Sequence, residues 1–133
     1  MRINAKALVF GFLVYVGGVV VAGVSAGLIA SLFLVSRRVP GSVIHSILTS
    51  SLTLPAINLI TNLGFIFLGG FFAAGIAKEC HVTHGLIIGM FALILGFALS
   101  GKNPVWVEGV LFVLILPVAA SGAVVMKSRR AKG

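Results

Sequence analysis

Acidic residues are nearly missing from this chain: Glu79 and Glu108 are the two, against ten lysines and arginines, for a formal charge of +8. A paired-carboxylate catalyst needs two acids in one place, and these fall at opposite ends of the predicted topology. Charge of either sign is scarce, at 9% of residues, where soluble chains carry about 25%. An ordinary soluble domain is excluded. The single cysteine, Cys80, rules out an internal disulfide and leaves the redox compartment open. None of the four asparagines sits in an Asn-x-Ser/Thr site, so no luminal marker is present. No nucleophile–base–carboxylate set, phosphate-binding loop or haem motif is present either, and an enzyme is not expected.

Hydrophobic residues are abundant instead, at 59%. A basic excess in a soluble protein would point to nucleic acid. Here the cations stand at the ends of apolar runs, where orientation-setting charges belong, and no nucleic-acid partner is expected. Residues 7–36 carry no formal charge. That is far longer than a signal-peptide core of about 7–15 residues, so an uncleaved first helix is predicted.

The hydropathy pattern predicts an all-α membrane protein, one domain over residues 1–133. Four transmembrane helices are expected at 7–35, 54–77, 84–100 and 105–126. Residues 42–53 form a short amphipathic stretch, too short to span. It reads as interfacial, as re-entrant, or as an extension of the second span bent at Pro55. An even number of spans puts both termini on one side. That side holds seven cations (Arg2, Lys6, Lys78, Lys127, Arg129, Arg130, Lys132) and the other three (Arg37, Arg38, Lys102). Both termini are therefore expected in the cytoplasm, with Trp106 anchoring the outer interface.

Small residues recur every four positions: Gly18, Ala22, Ala26 and Ala30 in the first span, beside a second row of Gly23, Gly27 and Ser31. Gly69, Ala73 and Ala77 follow in the second span, and Gly85, Gly89, Ala92 and Gly96 in the third. Such rows let helix backbones approach closely where lipid supplies little hydrophobic drive. The bilayer and either a second copy of the chain or a larger membrane complex are the partners this pattern predicts.

The stretch Gly69–Gly85, GGFFAAGIAKECHVTHG, gathers most of the polar chemistry on the cytoplasmic side. Its Gly69-Gly70, Ala73-Ala74, Ala77-Lys78 and His84-Gly85 resemble, in order and spacing, the uncharacterised small four-helix bacterial membrane proteins typified by YrzE. The resemblance covers 17 of 133 residues; it implies a four-helix architecture in a prokaryotic plasma membrane and no activity or cofactor. The polar segment 42–53 and the Cys80-His81 pair lie outside that pattern.

Within this stretch Cys80, His81 and His84 are of zinc-ligand type, but their spacing matches no standard site and a loop so short would be strained. Local roles are expected instead, with His84 bonding a loop carbonyl or a helix end at the start of the third span. Two intramembrane features remain. Glu108 reads either as a carboxylate coupled to proton or cation movement or as an acid favoured by the positive end of its helix and paired with a nearby cation. Asn58 and Asn62 share a face that would line a polar pathway or bond helices together. The expected function is a structural or interaction subunit packing through Gly/Ala faces. A small oligomeric transporter or channel using Glu108 or the Asn58/Asn62 face is the alternative. A phage-type holin is a remote third, suggested by size, several spans and a basic tail.

Overall fold

A computed structural model describes residues 3–50, 52–77, 79–99 and 105–131; Arg2, Lys78, Lys102 and Lys132 lie outside it. The described residues form five helices and no strand: α1 (Ala5–Ser36), α2 (Gly41–Ser50), α3 (Thr53–Ile76), α4 (His81–Ala98) and α5 (Val105–Ala131). Four of them, all but α2, are long and apolar enough to cross a membrane. The chain is an all-α, membrane-embedded protein. The start of α1, the α3–α4 loop and the end of α5 lie at one end of the bundle, called here the near end. The end of α1, α2 and the start of α5 lie at the far end.

Each helix boundary has a local cause. Asn4 caps α1, its Oδ1 accepting from the N–H groups of Lys6 at 3.1 Å and Ala7 at 3.4 Å. At the other end Arg38 takes a left-handed conformation, φ 57°. The N–H of Val39 donates to the Leu34 carbonyl at 3.2 Å and that of Arg38 to Val35 at 2.9 Å. Together these make a Schellman stop, built on an arginine where glycine is usual. The stretch 42–53 resolves into a separate ten-residue helix ending at Ser50, and α3 starts anew at Thr53. Pro55 explains the break: its ring would collide with the carbonyl four residues earlier, yet in the first turn of α3 its missing N–H has no partner to lose. The third spanning helix begins at His81, three residues ahead of the expected His84. Proline 117 lies inside α5 without ending it.

Packing is uneven along the bundle. At the near end small residues bring backbones together. Gly70 of α3 faces the Ala119 carbonyl of α5, and Gly122 of α5 faces the Phe67 carbonyl of α3, so that a β-carbon at either glycine would collide with backbone. Gly85 and Gly89 of α4 meet the same Ala119, whose methyl would stand 3.0 Å from a β-carbon at Gly89. Ala119 is thus where α3, α4 and α5 converge. On the other side of α3, Gly11 of α1 and Gly69 of α3 face one another's carbonyls, and Gly18 lies against the ring of Phe65. Ala73, Ala74, Ala77 and Ala123 are fully buried around these contacts.

The far half is looser. Among the described residues the backbone of α1 runs beside α3, α4 and α2 and comes nowhere within 8 Å, Cα to Cα, of α5. Beyond Gly18 the helix leans on little of the chain: Val20, Val21, Val24, Leu28, Ile29 and Leu32 are all exposed.

Candidate functional site

Two polar constellations stand out, one at each end. The near-end one is built around His84, buried at 0% exposure. Apart from the Tyr15 hydroxyl, no other polar side chain among the described residues is buried in the core; His84 lies in the first turn of α4. Its Nε2 is 2.9 Å from the backbone nitrogen of Asn4, 80 residues earlier. That nitrogen can only donate, so Nε2 accepts and carries no proton. Nδ1 therefore holds the ring proton and donates to the Cys80 carbonyl at 2.9 Å. The imidazole is neutral, in one tautomer, with both nitrogens engaged. It ties the cap of α1 to the start of α4. The sequence indicates the bond to the loop; the bond to Asn4 spans two elements and leaves no local signal.

His81, one turn earlier, donates from Nδ1 to the Ala74 carbonyl at 2.8 Å, an acceptor left over at the end of α3. Cys80 sits between the two helices in a left-handed conformation, φ 53°. Among the described residues no three His, Cys, Asp or Glu side chains stand close enough together to hold a metal. Both His84 nitrogens are already committed to backbone partners.

The far-end constellation is a cleft of about 310 Å³ in the gap between α1 and α5. Asn62 of α3 lies at its inner side. Val16 and Val19 of α1, Leu95 and Gly96 of α4, and Leu111 and Phe112 of α5 give it an apolar lining. Glu108, in the first turn of α5, contributes the carboxylate, where the positive end of the helix favours negative charge. Glu108 also has an interaction of its own within the chain. Deeper in the cleft the Tyr15 hydroxyl donates to Asn62 Oδ1 at 3.3 Å, bonding α1 to α3. From Glu108 to Ile115, also in the lining, is about 10 Å along α5 at 1.5 Å per residue.

The cleft thus brings Asn62 and Glu108 together and adds Tyr15, which sequence reasoning passes over. The signal available is the lone tyrosine of the chain, placed mid-span among small residues. Asn58, one turn nearer the start of α3, is partly buried, has its own interaction within the chain, and is not part of the cleft lining.

The small-residue positions divide between the two halves. Gly18, Gly69, Ala73, Gly85 and Gly89 make helix–helix contacts inside the chain. Ala22 and Ala26 are only partly buried, and at Gly23 and Gly27 no neighbouring atom lies within 4 Å of the position of a β-carbon.

Comparison with family models, with curated proteins and with solved structures gives no match.

Proposed function

We propose that the chain is a non-enzymatic interaction subunit of a membrane assembly, joined to a second copy or to a larger complex through the far half of α1. The observation that carries this reading is the contrast within that helix. Gly11 and Gly18 are filled by α3, whereas Gly23 and Gly27 meet nothing. Glycine in a helix interior costs about 1 kcal/mol relative to alanine, and against lipid it returns no packing. Alternating with Ala22, Ala26 and Ala30, these glycines form a shallow groove of the kind another helix fills. At 32 residues, or about 48 Å, α1 is also longer than a hydrocarbon core of about 30 Å.

Sedimentation in mild detergent tests the reading. The wild-type protein is expected as an oligomer or with a stoichiometric partner, and Gly27→Leu is expected to release the monomer without lowering its thermal stability. A wild-type monomer that brings down nothing would end it. The setting we propose is a prokaryotic plasma membrane with both termini in the cytoplasm. The excess of basic residues at the near end and the YrzE-like pattern at 69–85 support it.

A second reading, a small oligomeric transporter or channel, draws on the meeting of Asn62 and Glu108 in one cleft. Flux in proteoliposomes that Glu108→Gln abolishes while folding is retained would favour it over the first.

A further inference from the structure

The inner part of the far-end cleft holds a hydrogen-bond donor that the chain itself orients. Tyr15 is 5% exposed, and its hydroxyl donates to Asn62 Oδ1 at 3.3 Å. That bond sets the amide. Oδ1 turns to α1, and Nδ2, which can only donate, makes no hydrogen bond with a described residue. Both side chains line the cleft. Asn62 lies about 14 Å along α3 from Thr53 and about 21 Å from Ile76, well inside a hydrocarbon core of about 30 Å. Around the pair the lining is apolar, with Val16, Leu95, Leu111 and Ile115. A volume of about 310 Å³ is at the lower end of the range of small-molecule sites, roughly 300–1,000 Å³, and such sites join an apolar lining to a few placed polar groups.

We infer that this cleft binds a neutral apolar molecule carrying a carbonyl, with the carbonyl oxygen on Asn62 Nδ2 and the body along Leu95, Leu111 and Phe112. The donor decides the class. A plain hydrocarbon would leave both N–H groups of the amide unserved in an apolar place, which is costly. An ionised acceptor would have to give up its hydration deep in the membrane. A carbonyl accepts and brings no donor of its own, whereas a hydroxyl would add one that needs a partner. The site makes no use of Glu108, which keeps its own interaction within the chain. It requires neither transport nor assembly through α1.

The test uses the whole chain in nanodiscs of ether-linked lipid, which has no ester carbonyl of its own. The discs are titrated with methyl octyl ketone and read by infrared absorption, because hydrogen bonding lowers the ketone's carbonyl stretch. Protein-free discs correct for ketone dissolved in lipid or bonded to interfacial water. Three variants divide the roles. Asn62→Leu removes the donor and keeps the volume. Tyr15→Phe keeps the donor and removes the bond that positions it. Gly96→Leu fills the cleft, where the nearest neighbour of a β-carbon would be Phe112, at 3.9 Å. Wild type is expected to show a lowered carbonyl band that saturates. Asn62→Leu should abolish that band, Gly96→Leu should weaken binding at least tenfold, and Tyr15→Phe should keep the band but broaden it. Absence of a saturable lowered band in wild type, its persistence in Asn62→Leu, unchanged affinity in Gly96→Leu, or an unaltered band in Tyr15→Phe would overturn the inference.

Discussion

A methyl group at Gly70 or Gly122 would occupy the space of a carbonyl on the facing helix, whereas one at Gly64 or Gly109 would meet nothing within 4 Å. Backbone cannot swing aside as a side chain can, so Gly70→Ala and Gly122→Ala are each expected to lower stability by about 1–3 kcal/mol. Gly64→Ala should be neutral or stabilising by up to about 1 kcal/mol. Thermal unfolding in detergent of the three single variants checks the ranking. The same measurement applies to His84. Its removal leaves the Asn4 N–H and the Cys80 carbonyl without this partner in a partly buried place, and His84→Ala is expected to lose about 2–4 kcal/mol from the unpaired groups and the vacated space together. Asn4→Ala keeps the backbone N–H and forfeits only the cap, about 1 kcal/mol. An equal loss in the two variants would remove the bridging role of the imidazole. Some of this is legible in sequence. The four-residue spacing of Gly69, Ala73 and Ala77 marks a packing face, because close approach needs small residues in register. Gly70 and Gly122 are not legible as a pair, since spacing shows which residues share a face and not which face another helix meets.

Among the elements, α1 is the one whose two halves behave differently. Its near half is held by Gly11 and Gly18 against α3 and by Asn4 against α4, while its far half has few neighbours. Hydropathy treats the whole run alike, which is why one uninterrupted span is all that the pattern there predicts. The short helix α2 was open to three readings for a related reason: ten residues of mixed polarity satisfy each of them. The proline that separates it from α3 acts through a steric clash that hydropathy does not register. Tethered between α1 and α3 with few contacts to either, α2 should open locally at little free-energy cost. Amide hydrogen exchange is expected to be at least tenfold faster over residues 43–50 than over residues 63–74 of α3. Similar protection in the two segments would mean that α2 is held by something outside this chain.

For the molecule as a whole, close packing of small residues at the near end contrasts with a cleft at the far end. Architecture was largely legible here, because four long apolar runs and their connecting breaks follow from bilayer thickness alone. The cleft was half legible. Glu108 and Asn62 stand out as polar groups within apolar runs, but their meeting depends on how α1, α3, α4 and α5 pack around the cleft, which no one segment records. The charge balance makes one prediction at this scale. Cys80 is the sole cysteine, is only partly buried, and sits in the near-end loop. On the proposed orientation, with that end cytoplasmic, a membrane-impermeant maleimide should label it in inside-out vesicles and leave it untouched in intact cells; the reverse pattern would invert the proposal.

The bond from Asn4 to His84 also sets an order of events during synthesis. When the first helix leaves the ribosome, residue 84 has not yet been made, so the start of α1 enters the bilayer without its imidazole partner. Only after α3 has crossed and the chain has turned back at Cys80 can the ring reach the amino-terminal cap. Closure of the near end is therefore a late step. A chain released before that point would carry a first helix whose Asn4 N–H lacks its imidazole acceptor.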